Sequence, residues 1–367
     1  MQCSETRSTP IAGYVRTRPY NRHVQVSEIG EFGLIRLLTQ EFGIAYPPTK
    51  GTPAPEGLEV GIGDDAVVTS KREGALIWTT DTMVEGNHFT PESTSWRDVG
   101  WKALAVNLSD IAAMGGVPHL ALVTLTLPPD FETDDALELY RGLHDAANAF
   151  DVTLGGGDIV RSPVFSITVA LSGWALEAGG PAALLCRDAA KPGDVVAVTG
   201  QLGAAAGGVR LIVQGPDFDA AGHPESESLL RSAQHRPQPR VALGQAAVRA
   251  GLRCGMDVSD GLVQDLGHIA SASGVALHIE AARVPVSNDL RVVFPGDALA
   301  MALTGGEDYE LILVGPEDVM DKYIGETEKQ VTVIGRAEDG EANVTVVDEY
   351  GKAMTFERRG WDHLAET

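Results

Sequence analysis

The chain has 367 residues, 44% of them hydrophobic, enough to bury a large core and, at roughly 150 residues per domain, to form two domains. Acidic residues outnumber Lys plus Arg by 51 to 28, for a formal charge of -23, so a phosphate backbone is repelled and nucleic acid is excluded as a partner. No run approaches the roughly 18 unbroken apolar residues of a membrane span, which excludes a membrane role and leaves the cytoplasm as the expected location.

Residues 1–27 mix Arg7, Arg16, Arg18 and Arg22 with Ser, Thr and Pro, and are expected to be a disordered extension, with a transit peptide or an over-extended start as alternatives. The first helix is predicted over 27–42, where Ile29, Phe32, Leu34, Ile35, Leu37 and Leu38 follow helical spacing behind Ser27 as cap. Pro47, Pro48, Pro53 and Pro55 make 46–57 a loop before a strand at 58–62, and short apolar runs follow at 66–68 and 75–78. A helix over 96–114, stopped by Gly115 and Gly116, leads to a strand over 120–127 that Pro128 and Pro129 end. After a long helix over 134–150, strands at 152–154 and 165–171 flank a glycine loop.

A second half starts near Lys191, with a turn at 191–194, a strand at 195–198, a flexible glycine-rich passage at 200–208 and a helix from 209. A polar connection over 214–239 with a short helix precedes helices at 241–250 and 262–272 and strands at 276–279, 311–314 and 331–334. The expectation is a mixed α/β (α+β) protein with domains over 28–180 and 181–367, and no tandem repeat. Cys3, Cys186 and Cys254 form no C-x-x-C pair, against a disulfide framework or a zinc site and in keeping with a reducing compartment.

The chemistry lies in where certain aspartates fall. Asp64, Asp65, Asp81, Asp158, Asp257 and Asp260 each follow an apolar run or glycines, where a turn can present a carboxylate at the end of an element. Asp110 instead sits inside a predicted helix, on one face with Asn107 and Met114, where Asp has poor propensity and no capping role. Singly, each is as well explained as a turn former or, for Asp257 and Asp260 before Leu262, as a helix cap. Gathered in one cleft, two carboxylates about 4 Å apart repel by roughly 4 kcal/mol at an effective dielectric of 20, so cations are required. Lys102, Arg161 and Arg187 are the few supplied nearby. Oxygen donors without His or Cys select hard ions such as Mg²⁺ or Mn²⁺, with phosphates completing the shell. Gly61, Gly63 and Gly155–Gly157 allow backbone to approach phosphate or serve as turns. No Walker loop, His-Arg-Asp kinase loop or Gly-x-Ser-x-Gly elbow is present.

In order, Gly-Ile-Gly-Asp-Asp-Ala (61–66), Thr-Thr-Asp-Thr-Met-Val-Glu-Gly-Asn-His-Phe (79–89), Lys-Ala-Leu-Ala-Val-Asn-Leu-Ser-Asp-Ile-Ala-Ala-Met-Gly (102–115), Gly-Gly-Asp (156–158), Lys-Pro-Gly-Asp (191–194), Asp-Val-Ser-Asp-Gly-Leu (257–262), Leu-Thr-Gly-Gly-Glu-Asp-Tyr-Glu-Leu (303–311) and Gly-Trp-Asp-His (360–363) resemble the thiamine-monophosphate kinase family. The resemblance runs from about residue 28 to the C-terminus. It implies the two-domain plan shared with aminoimidazole ribonucleotide synthetase and selenophosphate synthetase, a homodimer, and ATP-dependent phosphorylation of thiamine monophosphate. It further implies Mg²⁺ ions on Asp65, Thr79, Thr80, Asp81, Asp110, Asp158, Asp257 and Asp260, with Asp81, Asp110, Asp158 and Asp260 at the chemistry. Gly157, Arg187 and Ser259 would touch ATP, and His88, Glu307 and Trp361 the acceptor. By themselves His88 is more often a structural histidine and Trp361 more often a hydrophobic anchor for the tail, although an aromatic face suits a cationic thiazolium. The extension 1–27, the proline-rich 46–57 and the connection 214–239 depart from the family pattern. Rival expectations are a sister synthetase activating another acceptor, a two-metal phosphatase or nuclease, and a non-catalytic acidic module, the last lacking a Ca²⁺ loop in this sequence.

Overall fold

The computed structural model describes residues 24–43, 58–60, 62, 66–70, 74–177, 183–215, 222–328 and 330–361. The expected extension up to residue 23 and the 46–57 loop lie outside these, as do Gly61, Gly63, Asp64 and Asp65. Residues 24–26 already belong to the fold, since Thr133 N–H donates to Val24 O at 3.0 Å and Val26 N–H to Phe131 O at 2.8 Å.

Helix α1 (Val26–Glu41) starts one residue before the expected Ser27, on a reciprocal capping box between Gln25 and Glu28. Strands β1 (Leu58–Val60) and β2 (Val68–Thr69) form a small antiparallel pair. Next come β3 (Leu76–Val84), α2 (Trp96–Ala113), β4 (Val117–Leu127), α3 (Thr133–Ala149), β5 (Thr153–Arg161) and β6 (Ser166–Trp174). The sheet order is β3-β6-β4-β5, antiparallel except for β4 with β5. Alternation along the strands sends Val123, Leu125, Ile167, Val169 and Leu171 to one face, where they share a core with Leu104, Leu108, Ile111, Leu139 and Leu143 of α2 and α3. The opposite face is uncovered by any described helix: Trp78 is 59% exposed, Leu76 43% and Val160 47%, and Thr80 and Thr82 are exposed beside them.

The second half contains β7 (Val195–Thr199), α4 (Ala204–Gln214), α5 (Pro224–His235), α6 (Val241–Ala250), β8 (Cys254–Asp257), α7 (Leu262–Ser273), β9 (Ala276–Glu280), α8 (Asn288–Val293), α9 (Ala298–Thr304), β10 (Leu311–Gly315), α10 (Glu317–Glu326), β11 (Val331–Glu338) and β12 (Asn343–Val347). They build a sheet of order β12-β9-β11-β7-β10-β8, in which β12 with β9 is the parallel pair. Strands β7 and β10 are buried on both faces, which is why they read as unbroken apolar runs. Val195, Ala197, Leu311 and Leu313 share the first half's core, together with Val248 of α6 and Met320 of α10. Val196, Val198, Ile312 and Val314 form a second core with Leu262, Leu266 and Leu303. One core therefore spans both halves and presses α2 against α6 and β8. Among the described residues no helix is long and apolar enough to cross a membrane.

Three expectations are corrected. Gly155–Gly157 lie inside β5, paired with β4, and not in a loop. The passage 200–208 becomes helix at Ala204, its Gly208 standing so close to α5 that a Cβ would lie 2.4 Å from Leu230 O. Strand β3 runs on through Asp81, so that carboxylate belongs to the strand interior.

Candidate active site

Strand β3, the second half of α2 and the end of β8 meet where the two halves join. Alternation in β3 turns Thr79 and Asp81 toward α2 and Thr80 and Thr82 to the open face. On α2 the Asp110 carboxylate faces β3 and accepts the Thr79 hydroxyl hydrogen bond, with the Asp81 carboxyl also within hydrogen-bonding reach. One position earlier, Ser109 Oγ donates to Asp257 Oδ2 at 2.7 Å, tying α2 to the last residue of β8. Thr79, Asp81, Asp110 and Asp257 are thus brought together.

Burial pushes the Asp110 carboxyl above its ordinary range, against the pull of Thr79 and Arg187. Asp257, 3% exposed, is driven up to about 7, first by burial and then by the Asp110 charge, against the Ser109 hydrogen bond and Arg187. Burial and, for Asp257, the Asp110 charge thus both oppose ionisation here.

The Ser259–Gly261 loop follows β8. Neither Asp257 nor Asp260 caps α7: its N-cap is Gly261, with no side-chain cap. The loop instead hangs on Asp265, whose Oδ2 accepts the backbone N–H groups of Ser259, Asp260 and Gly261 at 3.1, 3.2 and 3.1 Å. Asp265 is fully buried, and burial followed by the charges of Asp257 and Asp260 pushes its carboxyl up to about 8. The chain end returns here: Trp361 N–H donates to Asp260 O at 3.0 Å and Gln264 Nε2 to Trp361 O at 2.7 Å.

Residues 305–310 line the other side. Glu307 and Tyr309 adopt left-handed φ values of 67° and 51°, a conformation unusual for side chains with a Cβ, and are fixed by N–H donation to Ser259 O and Val258 O. The Glu307 carboxylate pairs with the buried Lys102 of α2 at 2.7 Å. Asp308 accepts from Gly203 and Ala205 N–H at the start of α4, and Glu310 binds Arg240 through contacts of 2.8 and 2.5 Å and Thr199 at 2.6 Å.

Other expected residues stand apart. Asp158, on β5 at the opposite sheet edge from β3, is in register with Thr124, Thr168 and Thr82 and so shares the open face, about 14 Å from β3 at normal strand spacing. Thr80 also belongs to that face. Gly157 packs on β4, where a Cβ would lie 1.7 Å from Val123 O. His88 sits in the turn after β3 and its Nδ1 accepts from Val84 N–H at 3.1 Å, while Phe89 anchors the turn against Trp96 and Phe165. Asp65 lies outside the described residues.

Sequence reasoning missed Ser109, Asp265 and Tyr309. For Asp265 a signal existed, a carboxylate in the first turn of a helix that lacks a capping side chain. Among the described residues no three His, Cys, Asp or Glu side chains close on one point as a ready-made metal cage.

Residues 63–175 match the family model described as AIR synthase related protein, N-terminal domain, and residues 191–348 that of the C-terminal domain. The two sheets are therefore those of an AIR synthase-related protein. The thiamine-monophosphate kinase of Escherichia coli strain K12 is 39% identical over 317 residues, covering 84% of this chain and 93% of that one. The crystal structure of thiamine-monophosphate kinase from Stenotrophomonas maltophilia K279a superposes with a TM-score of 0.73 at 39% identity, covering 82% of this chain and 93% of its own. AaThiL complexed with AMPPCP and TMP gives a TM-score of 0.70 at 33% identity, covering 93% and 99%. This chain belongs to the thiamine-monophosphate kinase family.

Proposed function

We propose that this chain transfers the γ-phosphoryl group of ATP in line to the phosphate of thiamine monophosphate, giving thiamine diphosphate and ADP. The observation that carries the proposal is the crowding of Asp81, Asp110 and Asp257 at the β3–α2–β8 junction, in a chain similar throughout to a protein that binds AMPPCP and TMP together. A phosphate monoester with a second pKa of about 6 is mostly dianionic at pH 7, so the nucleophile needs no general base. The obstacle is the meeting of two polyanions in an acidic protein.

The donor set fits Mg²⁺: oxygen ligands only, two of them carboxylates raised above their ordinary range by burial. Asp81, Asp110 and Asp257 would hold it, with Thr79, Asp65 and Asp260 at hand and phosphate oxygens filling the shell. Bound there, Mg²⁺ supplies charge neutralisation between the two phosphates. Ser109 fixes Asp257, Asp265 holds the Ser259–Asp260 loop in place, and Arg187 and Ser259 face the nucleotide. His88, Glu307 and Trp361 are assigned to the acceptor, Trp361 offering an aromatic face to the thiazolium. In this scheme 28–180 carries most carboxylates and 181–367 completes the site.

The working form proposed is a cytoplasmic homodimer joined through the open face of the β3-β6-β4-β5 sheet. An open sheet face of threonines with Leu76, Trp78 and Val160 exposed would be covered by its own copy across a two-fold axis. Asp158, Thr80 and the β5 segment around Gly157 lie on or beside it, so their roles depend on that second copy.

Incubation of the purified protein with ATP, Mg²⁺ and thiamine monophosphate is expected to yield thiamine diphosphate and ADP in equal amounts. Phosphate release without an acceptor would mean a phosphatase, and ADP formation only with selenide or an amide substrate a sister synthetase.

A further inference from the structure

Lys102 lies on α2 eight positions before Asp110, about 12 Å along the helix axis. It is 2% exposed, in a chain with a net charge of -23. Its Nζ is 2.7 Å from Glu307 Oε1, which can take one of its three N–H donors, and among the described residues no other acceptor meets it. An ammonium has three donors, and buried charged donors are normally satisfied. Beside it His235 Nε2 is also buried, with no hydrogen-bond partner among the described residues, and both Lys102 and Glu307 act on the His235 ring. His235 lines a cavity of about 430 Å³ between α5 and the start of α2, which Asp98, Arg231 and Arg236 also border. Glu307, held by its N–H bond to Ser259 O, keeps this pair next to the Asp260 loop.

We infer that Lys102, with His235 beside it, is a subsite for phosphate oxygens, and that the phosphate it takes is the acceptor's. An ion at the aspartates would lie between the two phosphates; the acceptor-phosphate oxygens turned away from it need a further cation, and Lys102 is a buried one with donors to give. This inference rests on the kinase proposal and names the group that holds the second phosphate.

The test is calorimetric binding to the full chain of thiamine monophosphate, of thiamine, which lacks the phosphate, and of a non-hydrolysable ATP analogue. It uses the wild type, Lys102→Met, Lys102→Arg and His235→Gln, with thermal melts to show that each is folded. Wild type is expected to prefer the monophosphate over thiamine. Lys102→Met should lose roughly tenfold to hundredfold of that preference, the range for a charge-assisted hydrogen bond. It should leave the ATP analogue unchanged and weaken thiamine, which meets Lys102's partner Glu307, far less than the monophosphate; Lys102→Arg should recover part of the preference and His235→Gln lose a smaller part. A loss confined to the ATP analogue would keep the subsite but give it to the nucleotide. An unchanged preference in Lys102→Met, or an equal loss for all three ligands as expected of a structural ion pair, overturns the inference. Binding needs no turnover, so failure of the wild type to make thiamine diphosphate tests the kinase proposal separately.

Discussion

At Asp110 a carboxylate is asked to be charged where burial disfavours charge. Asp110→Asn keeps the shape and the Thr79 acceptor and drops the charge. The phosphoryl-transfer rate is therefore predicted to fall by roughly hundredfold or more, the scale of losing one preorganised electrostatic group, with a melting temperature unchanged or higher. Steady-state rates and thermal melts check this; wild-type turnover would remove Asp110 from the site. Asp265 has the opposite profile. Three backbone N–H groups depend on one of its oxygens, so Asp265→Leu leaves three donors unfilled at about 1–3 kcal/mol each, whereas Asp265→Asn retains an acceptor. Urea unfolding is expected to show a large loss for Leu and a small one for Asn; equal losses would refute this role for the loop. Asp308 sets a pH dependence. Burial pushes its carboxyl up to about 7, against the Gly203 and Ala205 N–H bonds, while the unfolded value is near 4. The folded state therefore binds the proton more tightly, and its contribution to stability falls as the pH rises from about 4 to about 7 and is flat above. Asp308→Asn should flatten that slope in unfolding midpoints measured at pH 5 and pH 7.5.

Helices α2 and α3 touch backbone to backbone. A Cβ on Gly100 would lie 1.9 Å from Leu139 O, and one on Gly142 1.8 Å from Arg97 O. Gly142→Ala is predicted to push the helices apart and cost several kcal/mol, the order of overpacking combined with backbone shifts, read as a large drop in melting temperature. An alanine variant as stable as wild type would mean the crossing yields easily. Glycine is also where the sequence misled. Local patterning found α2, α3, α6 and α7 to within a residue or two, because their apolar periods are regular and, for α2, α6 and α7, glycines mark their ends. In Gly155–Gly157 and Gly207–Gly208 the same residue type marks close packing, of β5 on β4 and of α4 on α5, and was taken for loop. Strands β8 and β12 and helix α10 were missed because Cys254–Asp257 is short and glycine-containing and the others are half polar.

Across the whole molecule, convergence was the least legible property. Asp81, Asp110 and Asp257 share a site because one core presses α2 onto β8, a long-range packing fact that no local window contains. Asp158 shows the limit: its motif stands with the others in the sequence, while the sheet puts it on another edge and another face. The open face leads to a prediction of its own. Thr168→Arg, at the centre of that face, is expected to convert a dimer into a monomer by light scattering and to lower activity with it; a dimeric variant would place the contact elsewhere.

The backbone link between Trp361 and Asp260 ties the loop to a residue far downstream in the chain. Until Trp361 has been synthesised and docked, the loop bearing Asp260 has its hold on Asp265 but not this second one. A polypeptide cut just before residue 361 would therefore keep the residues of both cores and hold that loop from one side only.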